Sequence, residues 1–389
     1  MESDPTHQAD ASMSRFVISC GGTGGHLSPG ISVAEVLIDR GHDCWLVISR
    51  KQVDARLIED YPQLEFVRAP GSPLSGNPLG LIYFIFGQIR LTVFALRFFC
   101  KVKPEAVMAF GGFASGGIAV AAFFRKCPLV LHEANRVIGK AIRILARFAL
   151  RIYLPEEVTV PWQKRASQVR HFGYPVRRQI QKIPRVEARE EIGITEKGKL
   201  VVIVGGSQGA QALNDWASQC LEDLAMEGVS LYCVTGLGKG HEKLKEVEGK
   251  NGKRIKAHFI PFTNRMGEVL SSADLVVSRA GAGTIAELIQ CQVPAILIPY
   301  PYAADDHQIA NAHYLQVKGG CVVLEQRFIG KLTGAVLDLI GNDERLRSMR
   351  QDLERLENKK TSDVIAEDLE QIASGSSNRI TTGKVEISV

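Results

Sequence analysis

Four short apolar runs in this chain end in glycine clusters and lead into helical patterns: GGTGGH from Gly21 to His26, GGFASGG from Gly111 to Gly117, GGSQGA from Gly205 to Ala210, and RAGAGT from Arg279 to Thr284. Each cluster reads as a strand, a tight turn and a helix start. The first N–H groups of such a helix have no partner within it and lie at the positive end of its dipole, which suits an anion such as a diphosphate. The pattern predicts a chain that holds a nucleotide or another phosphorylated ligand.

Strand and helix patterns alternate around these turns. Strands are predicted at Phe16–Ser19, Cys44–Ile48, Ala106–Phe110, Leu129–His132 and Ile152–Leu154. After the charged, proline-containing stretch Arg177–Lys199, a second series is predicted at Leu200–Val204, Ser230–Val234, Ile255–Phe259, Leu275–Ser278, Ala295–Pro299 and Cys321–Leu324. Alternation of this kind marks parallel, doubly wound α/β sheets, and 389 residues suffice for two such domains. The expected fold class is therefore α/β, with two Rossmann-like domains whose parallel sheets face each other across a cleft. Ligands of such sheets bind at the carboxyl ends of the strands, where the glycine clusters lie.

Several function classes are disfavoured by residue content. The net charge of +5 is too small to imply nucleic acid, and eight cysteines without any C-x-x-C pair fit a reducing cytoplasm better than a disulfide framework or zinc site. A dinucleotide fingerprint needs a third glycine where Leu27 stands and an acidic residue where the second strand runs out at Ser49 and Arg50. No cluster is followed by the Lys-Ser/Thr of a P-loop, and no Asp-x-Asp offers a metal clamp for a sugar nucleotide. Helix N–H groups and cationic side chains are left to hold the phosphate.

Six segments in order, GGTGGHLSPG (Gly21–Gly30), HEAN (His132–Asn135), GYPVR (Gly173–Arg177), GGSQGA (Gly205–Ala210), RAGAGTIAE (Arg279–Glu287) and AADDHQIANA (Ala303–Ala312), resemble the MurG family. The resemblance covers about Arg15 to Gln326. It implies the GT-B glycosyltransferase fold and an inverting, metal-independent transfer of N-acetylglucosamine from UDP-N-acetylglucosamine to a lipid-linked muramyl pentapeptide (lipid I to lipid II), with no cofactor. Residues 15–176 are then the acceptor- and membrane-binding domain and 177–350 the donor domain, with a helix over 351–373 returning to the first domain. Residues 1–14 are expected to be a disordered extension and 374–389 a flexible tail. Implied partners are the donor, lipid I, an anionic membrane surface at the cytoplasmic face of the plasma (inner) membrane, and other cell-wall synthesis proteins. Another GT-B glycosyltransferase, a UDP-sugar epimerase and a catalytically silent UDP-sugar-binding protein stay open beside it.

Carried over by motif, the donor contacts are Thr23, Gly24, Gly25, Asn135, Arg177, Ser207, Thr263, the run Ala282, Gly283, Thr284, Ile285, Ala286 and Glu287, and Gln308. Ser207 lies where a diphosphate meets a helix start, Glu287 can accept two ribose hydroxyls, and Gln308 offers both a donor and an acceptor to a sugar. His26, with a reference pKa near ~6.5, is the first choice for general base, and Glu133, just after a strand, is the second. A histidine after a glycine turn can instead brace the loop or bind a diphosphate, and Glu133 can serve as a carboxylate that holds the fold.

From Leu79 to Cys100 the chain is densely apolar, interrupted by Gln88, Arg90 and Arg97. Helical spacing separates Arg90, Arg97 and Lys101 from Leu79, Ile82, Phe86, Ile89 and Val93, a pattern expected of a helix docked in the plane of an anionic membrane. A helix covering a parallel sheet is equally apolar, so part of the segment is expected in the core and the Leu79–Phe86 end at the membrane. Three positions depart from the family pattern. Gly117 replaces a proline, which predicts a more flexible loop; Ala134 replaces a glutamine, which predicts a lost polar contact; and Tyr174 replaces an asparagine at the hinge.

Overall fold

The computed structural model describes residues 13–21, 24–49, 57–71, 78–160, 162, 168–195, 198–206, 209–239, 242–357 and 360–381, with backbone alone at 24, 78, 251 and 376–381. The N-terminal sheet is formed by β1 (Arg15–Ser19), β2 (Asp43–Ile48), β3 (Glu65–Arg68), β4 (Ala106–Ala109), β5 (Leu129–His132), β6 (Arg151–Leu154) and β7 (Val169–His171). The strands lie in the order β3-β2-β1-β4-β5-β6-β7, and all are parallel. Its helices are α1 (Gly24–Asp39), α2 (Pro78–Val102), α3 (Ala114–Phe124) and α4 (Lys140–Leu145).

The C-terminal sheet contains β8 (Lys199–Val204), β9 (Val229–Val234), β10 (Lys243–Glu248), β11 (Arg254–Ile260), β12 (Leu275–Ser278), β13 (Ala295–Leu297) and β14 (Cys321–Val323), ordered β10-β11-β9-β8-β12-β13-β14. It is parallel except for the edge strand β10, which pairs antiparallel with β11. Around it lie α5 (Arg185–Glu191), α6 (Gln211–Gln219), α7 (Leu221–Met226), α8 (Met266–Ser272), α9 (Ala282–Cys291), α10 (His307–Val317), α11 (Leu332–Ile340) and α12 (Asp343–Leu356). The central strands are apolar because they are covered on both faces. Along β8, Val201 and Ile203 enter one core while Leu200, Val202 and Val204 enter the other. Buried Asp274 fastens α5 to this domain by pairing with Arg185 at 2.6 Å and Arg189 at 2.9 Å and by accepting the Leu200 N–H.

In each sheet the strand order reverses beside the first strand, between β1 and β4 and between β8 and β12. The four glycine clusters are the four loops that leave those strands, so all of them line the two crevices where such sheets bind ligands. At the N-terminal crevice the loops interlock. A Cβ on Gly21 would lie 2.2 Å from the Ala114 Cβ, and one on Gly112, whose φ is +75°, would lie 2.3 Å from the Gly21 carbonyl oxygen. No side chain fits there.

The expected flexible loop at Gly117 is instead a helix contact. Gly117 lies inside α3, its N–H donates to Gln88 Oε1 of α2 at 3.0 Å, and a Cβ would stand 2.7 Å from Leu91. Glycine is favoured there because the two helix backbones meet. Gln88 Nε2 also donates to the Phe113 carbonyl, so the one amide that interrupts the apolar segment ties α2 to the Gly111 loop.

A last helix, α13 (Thr361–Thr381), crosses back to the N-terminal domain, where Ile365, Ala366, Leu369 and Ala373 join its core. The crossover falls after α12, so residues 351–356 belong to a helix whose Leu353 packs in the C-terminal domain. Helix α13 continues through 374 to Thr381, which revises the expected start of the tail; residues 382–389 and 1–12 lie outside the described residues. Ser14, assigned to the extension, is buried, and its N–H donates to His42 Nδ1 at 3.1 Å, while His42 Nε2 meets Glu370 of α13 at 2.9 Å. Leu369→Ala should cost about 2–5 kcal/mol, seen in calorimetry as a lower N-terminal-domain transition with the C-terminal one unmoved. A loss confined to the C-terminal transition would refute this placement.

Candidate active site

His26 is the third residue of α1 and is half-buried; a Cβ on Gly112 would approach its Cε1 to 3.4 Å, so the imidazole rests on the Gly111 loop. Gly24 and Gly25 open the same helix, and the Gly25 carbonyl accepts the Tyr174 hydroxyl at 3.1 Å. That hydroxyl also lies 2.9 Å from where a Cβ on Gly283 would stand, so Tyr174 fills the gap between the starts of α1 and α9. Behind His26 lies buried His132. Its Nε2 is 3.3 Å from the Gly173 carbonyl, and burial, reinforced by the charge of His26, pulls its pKa down to about 4.

Glu133 is buried, and both carboxylate oxygens are engaged by the turn that follows it. Oε1 accepts the Asn135 N–H at 2.9 Å and its Nδ2 at 3.1 Å, while Oε2 accepts the Gly139 N–H at 2.7 Å. This is the geometry of a brace that holds Asn135 at the domain boundary.

On the C-terminal side, α9 starts at Ala282 after an extended Gly281 and has no acidic residue in its first turn, leaving its N-terminal N–H groups favourable to an anion. Within the run assigned to the donor, Ile285 packs into the core and also borders the interdomain cavity beside Ala282 and Ala286. Ala282 and Ala286, together with Ala134, His132 and Tyr174, line a cavity of about 120 Å³ between the domains. The short Ala134 side chain leaves room in it. Arg279 is turned away from solvent: its guanidinium donates to the Ile298 carbonyl at 3.1 Å and to Gln326 Oε1 at 2.6 Å, pinning the loops after β12 and β13 together.

Two assigned donor ligands face each other on the C-terminal side of the boundary. Arg177 and Glu287 lie 3.8 Å apart and are both largely buried. Burial raises the Glu287 pKa, and Arg177 pulls it part of the way back. Gln308 is only partly available. Its Oε1 accepts the N–H groups of Tyr300 at 2.9 Å and Ala280 at 3.3 Å, so its acceptor holds two loops and only Nε2 is left for a sugar. The Thr263 hydroxyl accepts the Arg265 N–H at 3.0 Å and shapes the turn after β11.

Thr23 and Ser207 lie outside the described residues. Sequence reasoning missed Asn311, a buried amide at the centre of the boundary, although it stands inside the quoted AADDHQIANA segment. Its spacing of one helical turn from Gln308 was the available signal.

Residues 16–154 match the Glycosyltransferase family 28 N-terminal domain and residues 200–368 the Glycosyltransferase family 28 C-terminal domain. The UDP-N-acetylglucosamine–N-acetylmuramyl-(pentapeptide) pyrophosphoryl-undecaprenol N-acetylglucosamine transferase of Opitutus terrae is 48% identical over 92% of this chain and 95% of its own length. The enzyme of the same name from Myxococcus xanthus is 33% identical over 87% of this chain and 88% of its own. In fold the chain is similar to the crystal structure of Acinetobacter baumannii MurG, with a TM-score of 0.69 and 24% identity over 92% of this chain and 99% of that one. With both halves of the molecule matched and 48% identity over 92% of the chain, the chain belongs to glycosyltransferase family 28 and, within it, to the MurG family.

Proposed function

We propose that this protein transfers N-acetylglucosamine from UDP-N-acetylglucosamine to the 4-hydroxyl of undecaprenyl-pyrophosphoryl-N-acetylmuramyl pentapeptide, working as a peripheral enzyme at the cytoplasmic face of the membrane. The observation that carries this reading is 48% identity over 92% of the chain to a transferase of that name. The acceptor oxygen forms a bond to the anomeric carbon as the bond to the UDP oxygen breaks on the opposite face, which inverts the centre. The acceptor proton goes to a base, and the new negative charge stays on UDP.

We assign the base to His26, which stands at the N-terminal crevice against the acceptor-side loop. The bonds that Glu133 makes to Asn135 and Gly139 favour a bracing role for it. Charge on the leaving diphosphate is met by the start of α9, the loop at Gly205 and Arg177. For Arg177 to reach phosphate and Glu287 to accept ribose hydroxyls, the donor has to enter between them and relax their 3.8 Å pairing.

Membrane contact is assigned to α2. Leu91, Ala95 and Phe99 at i, i+4 and i+8 are buried in the domain, so the C-terminal half of the helix is core, although Leu79–Val102 is long and apolar enough to cross a membrane. Towards the N-terminal end, Leu79, Ile82, Tyr83, Phe86 and Ile89 are exposed, with Arg90, Arg97 and Lys101 also at the surface. At about 100° per residue, Leu79 and Phe86 fall within about 40° of Arg90 and Arg97, so the cations border the apolar face and do not stand on a separate side as expected. An apolar face bordered by cations suits docking in the interface of an anionic bilayer. The Gln88 tether places this surface next to the acceptor-side loop.

Incubation with UDP-N-acetylglucosamine and a short-chain lipid acceptor in EDTA should release UDP and form the disaccharide; turnover only on a different acceptor would overturn the reading. His26→Ala should lower kcat by about 10²–10⁴-fold with a small change in donor KM, and near-normal kcat would exclude it as the base. Ile82→Glu with Phe86→Glu should abolish co-sedimentation with anionic vesicles while turnover of a water-soluble acceptor persists; undiminished sedimentation would move the membrane face elsewhere. His132 predicts a pH effect on stability. Below pH about 6.5 the unfolded chain takes up a proton that the folded imidazole refuses until pH about 4, so stability is lost through that interval, by ~3 kcal/mol in the limit. Urea titrations of His132→Gln should show a shallower decline between those pH values than the parent protein, and equal slopes would contradict the buried neutral imidazole.

A further inference from the structure

The loop that joins β13 to α10 carries two aromatic rings that the fold leaves uncovered. Tyr302 is 82% exposed and Tyr300 43%, with ring centroids 5.6 Å apart and planes at 73°. A single exposed aromatic on a loop is ordinary. This pair is unusual because the chain that bears it is stiff. Pro301 holds the second position of a turn closed by the Ala303 N–H donating to the Tyr300 carbonyl at 3.2 Å, which puts Tyr302 at the third position. The Asp306 N–H donates in turn to the Ala303 carbonyl at 3.1 Å. Asp305 and Asp306 both have φ of 51°, in the left-handed region that aspartate enters more readily than most side chains. The Tyr300 ring lies over the Arg279 guanidinium, 5.5 Å from its centre.

The turn is fixed at both ends to parts of the site. Gln308 Oε1 accepts the Tyr300 N–H at 2.9 Å, so the turn and the amide assigned to the donor sugar are held as one unit. Asp305 reaches the N-terminal domain, 3.4 Å from Arg143 and 3.9 Å from Lys140 of α4. A ring exposed on this loop therefore stands beside the donor-sugar residue, on a loop that touches the domain assigned to the acceptor. One face of a pyranose is lined by C–H groups and can stack on an aromatic ring, and a ring already held in place loses little freedom when it does so.

We propose that Tyr302 is a specificity-determining residue for the acceptor: its ring stacks on the muramyl sugar and sets that sugar against the donor. This rests on the transferase reading given above. The donor sugar has Gln308 Nε2 for a hydroxyl, while the muramyl ring brings its 4-hydroxyl to the anomeric carbon from the side where Asp305 meets α4. Tyr300, over Arg279, braces the Tyr302 ring edge to face.

Steady-state kinetics separate the two sugars. Tyr302→Ala should lower kcat/KM for a short-chain lipid acceptor about 3–10-fold, chiefly through acceptor KM, while the KM for UDP-N-acetylglucosamine stays within about twofold. Tyr302→Phe, which keeps the ring, should match the parent, and Tyr302→Trp should do at least as well. A Phe variant as poor as Ala would mean that the hydroxyl and not the ring is used, and would overturn the stacking. A rise in donor KM with acceptor KM unchanged would put the ring on the donor sugar and overturn its assignment to the acceptor. All three variants replace an exposed side chain, so their melting temperatures should stay near that of the parent. Calorimetric titration of the short-chain acceptor into protein saturated with UDP reads binding without turnover. There Tyr302→Ala should weaken Kd by the same factor, and an unchanged Kd would sink the idea. If the parent binds this acceptor but makes no product from UDP-N-acetylglucosamine, the transferase reading fails while the calorimetry still decides the stacking. If the parent turns over and Tyr302→Ala equals it in both measurements, the stacking fails alone.

Discussion

The architecture of the acceptor side depends on a backbone approach that excludes Cβ atoms. Gly21 lies against Ala114, and Gly112, at positive φ, lies against the Gly21 carbonyl. Because those atoms meet directly, α1 and α3 start side by side at the point where the strand order reverses, and His26 comes to rest on the second loop. Any side chain at Gly21 or Gly112 would push the two helix starts apart and move the imidazole with them. The third loop uses the same device: Gly209 approaches the Thr235 carbonyl so closely that a Cβ would stand 2.3 Å from it.

Between the domains the rule is different. The boundary is polar and largely buried, with Arg177 and Glu287 paired on its C-terminal side and the series Glu133, Asn135, Asn311 running from one domain to the other. Buried polar groups are costly unless paired, and these pairings depend on the relative position of two rigid sheets. Apolar packing would tolerate a small slide of one domain over the other; directional bonds at 2.9 and 3.1 Å do not. A boundary of this kind suits an enzyme whose site is assembled from both halves.

Much of the fold was legible because the central strands are buried on both faces and therefore appear as apolar runs. The three strands without predicted counterparts are all outside that regime. β3 (EFVR) and β7 (VRH) lie at the two edges of one sheet, and β10 (KLKEVE) is a charged antiparallel edge of the other. An edge strand has fewer apolar neighbours, and charge on it discourages pairing with other chains, so its signal is weak. The site was legible as a set of loops but not as a set of bonds. That Glu133 accepts from residues two and six positions later, or that the Gln308 acceptor is taken up by Tyr300 and Ala280, follows from backbone positions that no motif states. Gly117 was misread for the same reason, since the neighbour that requires glycine there lies on α2, far away in sequence.

The return of α13 has a consequence for how the molecule forms. Leu27, Ile31 and Ile365 to Ala373 share one apolar cluster, so the first domain begun during synthesis is among the last to be finished. A ribosome-bound chain that has emerged only through the second sheet carries an N-terminal half with one core face uncovered, and contacts separated by more than three hundred residues must close before that face is dry. The exposed apolar end of α2, on the other hand, is complete early. A nascent chain of this protein can meet a bilayer before its first domain has acquired its last helix, and the order of those two events is written into the topology.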